Sequence, residues 1–558
     1  MGSLKEDTVS YLAPLQDSNN LAVPIGEVES VSQADSLSSQ NDGKETDNFD
    51  ANRTPHDLKG KTARAALIST VSQGANFILR MGSMMILARL LIPADFGLVG
   101  MATAFTGFLE LFRDAGLSQA TIQRASISHE QTSTLFWINV VAGTILAAAC
   151  AAIAPILAIL YHEPRVVWVT VVTGAGFVLS GAAAQYRAVL MREMRFAVLA
   201  TINVGSLFMG IATGVSMAIA GQGYWSLVGM TVCQNIVGAL GVWLAGGWIP
   251  GPPRRNVGAR SMLKYGGTLT LNSVLIYIAY NADKVLLGRF WGAEVLGIYG
   301  RAYQFINIPT SNLNTSIGQV AFPALSRLQN EPERLRSYFL KGYGLYLSLV
   351  MPITLACALF AEDIIRVFFG PNWSGAVPIF RLLAPTIIAF ALMNPFGWFL
   401  QATGLATRSL KIAVVLVPVV IFGYVAGLPY GAAGVAIGFS AVAVALVVPV
   451  IFWARHGTAV GMIDVFRAVI PPLISVAIGT AATLVCWSLI RFLDSALLRL
   501  IAGNTILFGV YGIILLFAMG QRDLYLGLIR DIGIWPFSGQ RRKSSIDAEL
   551  PKPQTSEQ

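Results

Sequence analysis

Charge is what this sequence has least of. Only 12% of its 558 residues are Asp, Glu, Lys or Arg, about half the share found in soluble domains. A soluble helical bundle needs charged outer faces on most of its helices, and between residues 65 and 520 those faces are missing. Cysteine is as sparse. Cys150, Cys233, Cys357 and Cys486 each sit alone in an apolar stretch, which excludes a disulfide framework or a CxxC metal knuckle. The four histidines, His56, His129, His162 and His456, are scattered and form no ligand cluster, so no metal site is expected. There is no Gly-Lys-Ser/Thr phosphate loop and no nucleophile–base arrangement. ATP hydrolysis, a catalytic residue and a cofactor are all excluded on that reading. Any uphill work must draw on an ion gradient, the membrane potential or removal of product. Nothing points to nucleic acid.

What the chain has instead is apolar length. Residues of the hydrophobic types make up 54% and mean hydropathy is +0.62. Fourteen apolar windows run from 65–91 to 498–520, each near the ~20 residues that a helix needs to cross a bilayer. The fold expected is an all-α membrane protein of about 14 transmembrane helices.

Those windows fall into two copies. Ala88 to Gly100, ARLLIPADFGLVG, is echoed without a gap by GRFWGAEVLGIYG, Gly288 to Gly300. Arg89 meets Arg289, Gly97 meets Gly297 and Gly100 meets Gly300, at an offset of 200. So long a period fits two multi-helix halves, as in many transporters. The organisation expected is a disordered tail (1–60), a six-helix N-lobe (61–250), a six-helix C-lobe (251–460), two helices outside the duplication (461–520) and a C-terminal tail (521–558). The first tail holds four Lys/Arg against eleven Asp/Glu and has no apolar run, a disordered composition and no signal peptide. The first apolar window is then expected to act as an uncleaved anchor. The longest linker, Gly246 to Lys264, separates the copies.

Lys and Arg crowd alternate links. Arg187, Arg192 and Arg195 share one side with Arg254, Arg255, Arg260 and Lys264, while the other side carries few beyond Arg89, Arg165, Arg289 and Arg366. The positive side faces the cytoplasm, which places both termini there. No outward link exceeds about fifteen residues, which argues against an integral-membrane glycan polymerase.

Four windows carry polar stripes. Ser69, Ser72, Gln73, Asn76, Arg80 and Ser83 share one helical face in the first. Thr103, Thr106, Glu110, Arg113 and Asp114 share one in the second. Their repeat partners carry Asn272, Ser273, Tyr280 and Asp283, then Arg301, Gln304, Asn307, Ser311, Asn314 and Thr315. Charge at membrane depth avoids lipid and lines interiors. Arg89 and Arg289, near helix ends, read as snorkelling side chains. Arg187, near a cytoplasmic end, ranks behind Arg80, Arg113 and Arg301 as a cavity residue.

Arginine forks suit phosphate oxygens, and the amides of Asn76, Gln304, Asn307 and Asn314 suit sugar hydroxyls. Glu110, Asp114 and Asp283 either neutralise those arginines in the empty state or bind a coupling H⁺ or Na⁺. The combination fits a phosphorylated, glycosylated cargo. Pro309, Pro323, Pro352, Pro385, Pro395 and Pro418 punctuate the second half and offer bends to a moving helix. The last two windows are almost uncharged, which fits contact with lipid, including a lipid tail of the cargo.

LARLLIPADFGLVGMA (Leu87 to Ala102), FLELFRDAGLSQATIQR (Phe108 to Arg124) and YIAYNADKVLLGRFWGAEVLGIYGRAYQFINIP (Tyr277 to Pro309) closely resemble the Wzx-type polysaccharide transporters. Those belong to the multidrug/oligosaccharidyl-lipid/polysaccharide (MOP) flippase superfamily, and the resemblance spans about residues 61–520. It implies two six-helix lobes around an alternating-access cavity. It implies a cargo of undecaprenyl-pyrophosphate-linked oligosaccharide, moved from the cytoplasmic to the periplasmic leaflet of a bacterial inner membrane for surface polysaccharide synthesis. Partners would be that cargo, membrane lipids and other polysaccharide-assembly proteins. The pyrophosphate is expected on Arg80, Arg113 and Arg301. The role of Arg80 comes from its stripe and not from the resemblance. The competing reading is a cation-coupled multidrug exporter of the same superfamily, centred on Asp283 and Glu110.

Overall fold

The computed structural model describes residues 58–113, 121, 127–254, 259–522 and 525, and these are helical throughout, with no strand among them. The two expected tails lie almost entirely outside the described residues. In chain order the helices are α1 (Leu58–Leu90), α2 (Pro93–Glu110), α3 (His129–Tyr161), α4 (Val166–Arg192), α5 (Phe196–Ile219) and α6 (Trp225–Gly246). Then come α7 (Ala259–Arg327), α8 (Pro332–Leu359), α9 (Ala361–Phe368), α10 (Ala376–Ala402), α11 (Ala406–Gly427) and α12 (Gly431–Arg455). The last are α13 (Met462–Val485), α14 (Trp487–Arg491) and α15 (Ala496–Ile513).

Local chemistry sets the helix starts. Pro93 occupies the first turn of α2, where its missing N–H costs nothing. Ser128 caps α3: its hydroxyl accepts from the Gln131 N–H at 3.2 Å, and the Gln131 side chain accepts from the Ser128 N–H at 3.2 Å. Pro352, Pro385, Pro395 and Pro418 lie inside α8, α10 and α11.

The seventh and eighth windows are two helices, the two arms of α7, that meet at a kink at Gly292 with φ 80° and ψ −175°. That backbone is open to glycine and closed to a residue with a Cβ. Two details differ from the expectation. The second window ends early, at Glu110, so Arg113 stands in the turn beyond α2 rather than on its face. The link after α8 is not a plain loop: α9 and a 3-10 turn, Pro371–Trp373, occupy it, and Trp373 is fully buried.

Among the described residues, nine helical segments have the length and composition of membrane spans. The helices outside that set are α1, α2 and α7, together with the short α9 and α14. α1, α2 and α7 are the ones that carry the polar stripes, and those stripes lower their hydropathy.

α1 packs on α5, α3 on α4 and α4 on α6; in the second half α7 packs on α10 and α11, and α12 on α10 and α11. The halves meet chiefly along α2 and α7. There the repeat becomes a physical contact. A Cβ built on Gly97 would stand 1.6 Å from the carbonyl oxygen of Ala293, and one on Gly297 would stand 1.9 Å from that of Pro93. Each glycine receives the backbone of the other copy at the same offset of 200, which is reciprocal packing about a local two-fold axis.

The repeated arginines close the same junction. Arg89 donates to the Val367 carbonyl at 2.6 Å, and Arg289 donates to His162 Nδ1 at 2.6 Å. Trp373 donates its indole N–H to the Ala88 carbonyl at 2.7 Å. Arg89 and Arg289 therefore tie one half to the other, beyond the snorkelling expected of them. α13 and α15 pack together and dock on α8. The fork of Arg336 grips Asp464 at 2.7 and 2.9 Å, Arg499 grips Asp363 at 2.9 Å, and the Tyr511 hydroxyl donates to the Ser348 carbonyl at 2.7 Å.

Candidate functional site

The first cavity, of about 570 Å³, is built by α1, α4, α5, α6 and the turn after α2. Arg80, Arg113 and Arg187 reach it, with Asn76, Asn203, Gln234 and Asn235 around them. α1 presents Asn76 and Arg80 because they are four apart, on one helical face. Asn76 is steadied by donating to the Ser72 carbonyl at 2.8 Å. Arg113 is paired with Glu110, one turn earlier. Both side chains are more than a third exposed, so their attraction is weak and yields readily to a stronger anion. Arg187 enters beside Gly238, where a Cβ would stand 3.2 Å from its Nη2. Three guanidiniums, four amides and one carboxylate at the rim make an anion site with hydroxyl-binding groups beside it.

The second cavity, of about 510 Å³, lies between α2 and the two arms of α7. Lys284, Arg301, Gln304, Asn307 and Ser311 line it opposite Phe96, Val99 and Thr103. Arg301 lies flat on the Phe96 ring, 3.9 Å from its centroid, and donates to Gln304 Oε1 at 2.5 Å. The ring face attracts the cation and fixes its plane. Phe96 lies within the repeated motif, one residue before Gly97, and Arg301 follows directly on its second copy, one residue after Gly300.

Asp283 faces neither cavity. It is fully buried, and Oδ1 accepts from the Lys284 backbone N–H at 2.8 Å. The Tyr299 hydroxyl is placed to donate to the carboxylate, and Tyr424 stands near it. The acid and the tyrosines form one buried polar cluster.

The structure therefore joins Arg80, Asn76, Arg113 and Glu110, and separately joins Arg301, Gln304 and Asn307. A single site of Arg80, Arg113 and Arg301 is not formed, because Arg301 projects from the other half of the molecule. Asn314 lines neither cavity, and its Oδ1 is buried without a partner. Asp114 lies outside the described residues, as do the side chains of Ser69, Asn272 and Ser273. The sequence reading did not single out Asn203, Gln234 and Asn235 and placed Arg187 behind the other arginines; the structure brings all four to the first cavity. The adjacent amides Gln234 and Asn235 in an apolar window were the signal that could have found them.

Residues 86–378 match the family described as polysaccharide biosynthesis protein. The lipopolysaccharide biosynthesis protein WzxC of Escherichia coli (strain K12) is 26% identical over 392 residues, covering 68% of this chain and 78% of WzxC. Among solved structures, the lipid II flippase MurJ in an inward closed conformation superposes with a TM-score of 0.66 at 16% identity, over 82% of this chain and 100% of that one. An inward-facing multidrug-resistance MATE family transporter of the MOP superfamily superposes with a TM-score of 0.54 at 15% identity, over 70% and 97%. The structural likenesses carry the fold, and the family match carries the lineage. The chain belongs to the polysaccharide biosynthesis protein family, Wzx-like transporters rather than enzymes, and is a multi-pass membrane protein with the fold of MurJ and the MATE transporter.

Proposed function

We propose that the chain flips an undecaprenyl-pyrophosphate-linked oligosaccharide across a bacterial inner membrane by alternating access, supplying repeat units for surface polysaccharide. The observation that carries this is the first cavity. Arg80, Arg113 and Arg187 converge there with four amides and one rim acid. Paired guanidiniums match the oxygens of a pyrophosphate, and the amides match sugar hydroxyls. Membership in a transporter family removes the glycan polymerase from the alternatives.

In this reading fourteen spans form lobes at 61–250 and 251–460, helices at 461–520 extend the second lobe, and both termini are cytoplasmic. The head group binds the first cavity and displaces Glu110 from Arg113. Lys284, Arg301, Gln304 and Asn307 then offer a second polar station on the path outward. The contact of α2 with α7 at Gly97 and Gly297 closes the outer side until the lobes rock. Asp283, the buried acid, takes the coupling cation.

The test is surface polysaccharide in a deletion strain complemented with variants. Arg80→Ala combined with Arg187→Ala should reduce it at least tenfold at normal protein abundance, with lipid-linked units accumulating on the cytoplasmic face. Wild-type polysaccharide from that double variant would overturn the site.

One observation favours a second reading. The buried acid at Asp283, ringed by tyrosines, suits a cation-coupled drug exporter. Dye efflux that depends on Asp283, with no effect of the deletion on surface polysaccharide, would establish that reading instead.

A further inference from the structure

A third cavity differs from the other two in having almost no polar lining. It is a slot of about 470 Å³ between α2, the first arm of α7, α3 and α11. Phe105, Phe108 and Leu109 form one wall, and Ile278, Ala282 and Val285 form the other. Tyr277 braces it by donating its hydroxyl to the Ala104 carbonyl at 3.0 Å, so even that phenol is spent on the frame. A space so poor in hydrogen-bonding groups holds no ordered water and accepts only an apolar guest.

Its place narrows the guest further. Leu109, in the last turn of α2, stands four residues before Arg113, which lines the first cationic cavity. Asn281 is the amide at the slot's edge, and its Oδ1 accepts from Lys284 Nζ at 2.7 Å. Lys284 itself lines the second cationic cavity. The slot therefore adjoins both anion stations, one through α2 and one through α7. An apolar slot flanked by two cationic cavities complements an anionic amphiphile whose chain stays while its head changes place.

Resting on the flippase reading, we propose that this slot holds the isoprenoid chain of the cargo next to its phosphates, while the head passes from the arginines of the first cavity to Lys284 and Arg301. The outward faces of α13 and α15 are then ordinary lipid contact and not the tail site expected from their composition. A branched, flat isoprene run suits a slot with aromatic rings on one wall and aliphatic groups on the other.

The experiment uses the full-length protein in nanodiscs and geranylgeranyl diphosphate carrying a diazirine on its chain, with a diazirine-bearing phosphatidylglycerol as the control lipid. Labelled peptides are mapped by mass spectrometry. We expect label on residues 103–110 and 277–286 at least tenfold above that on 462–513. It should fall at least fivefold in Ala282→Trp, which fills the slot. It should fall likewise in Ile278→Gln, a small change on a side chain that is 39% exposed and that keeps the fold if the tryptophan does not. Label spread evenly over α13 and α15, or unchanged in both variants, would overturn the proposal. Equal labelling by the phosphatidylglycerol probe would do so too, since the slot would then be an ordinary lipid site. Binding of soluble inorganic pyrophosphate to the same variants separates the two claims. Retained pyrophosphate binding with no slot labelling sinks the tail site alone, and slot labelling that persists in Arg80→Ala with Arg187→Ala supports the tail site whatever becomes of the arginine site.

Discussion

Arg301 and Phe96 are the smallest unit with a defined task. The ring holds the guanidinium plane at 3.9 Å, an attraction worth about 2 kcal/mol when water is excluded. Lysine cannot reproduce a planar fork on a ring. Arg301→Lys should therefore lower polysaccharide export nearly as far as Arg301→Ala, read as surface polysaccharide at matched protein abundance; full activity in the lysine variant would refute the stacking role. Asp283 tests the coupling. Asp283→Asn should slow export and leave the residue of transport indifferent to an ionophore that collapses the cation gradient, measured in inverted vesicles. How much of this was legible in the sequence follows from what periodicity encodes. Spacing in α1 placed Asn76 and Arg80 on one face, and the structure keeps them on one cavity. Spacing says nothing about which faces of different helices meet, so it could not show that Arg301 lines a different cavity from Arg80 and Arg113. Asn203 on α5 and the Gln234–Asn235 pair on α6 do not recur at helical spacing, so they form no stripe.

At the scale of elements, α2 and α7 do most of the positioning. The repeat was legible as letters, with Gly97 over Gly297; that the two letters touch was not, because a repeat in sequence carries no statement of contact. The break at Gly292 falls in the link between the seventh and eighth windows, where a positive φ calls for glycine. Gly97→Val should be severe. With the Ala293 oxygen 1.6 Å from where a Cβ would stand, backbone must move by more than an ångström, and overpacking costs about 1–3 kcal/mol even in tolerant cores. Lower thermal stability in detergent, together with loss of export, is the expected result. Trp373→Phe keeps the ring packing and loses only the N–H bond to the Ala88 carbonyl. A loss of about 1 kcal/mol follows, detectable as a drop of a few degrees in melting temperature with export largely kept.

On the scale of the whole molecule, the two halves come together chiefly along α2 and α7 and are held by Arg89 to Val367 and Arg289 to His162. In the proposed cycle these bonds break each time the cavity turns outward. Cysteines at Arg89 and Val367, bridged by a short bifunctional thiol reagent in a background free of native cysteine, should stop export, and a cleavable reagent should restore it on reduction. Export that continues in the bridged protein would show that this junction does not open. The composition foretold a helical membrane protein because a shortage of charge over 450 residues leaves few other outcomes. The cavities were not foretold, since volume is a property of neighbours.

The reciprocal glycines have one more consequence. Because Gly97 receives Ala293 and Gly297 receives Pro93, they are two halves of one joint, and a side chain on either forces open the same gap. Their defects should then fail to add: once Gly97→Ala has moved the partner helix away, Gly297→Ala meets empty space. A double variant no worse than the poorer single one would mean that the duplicated motif behaves, energetically, as a single residue shared by both copies.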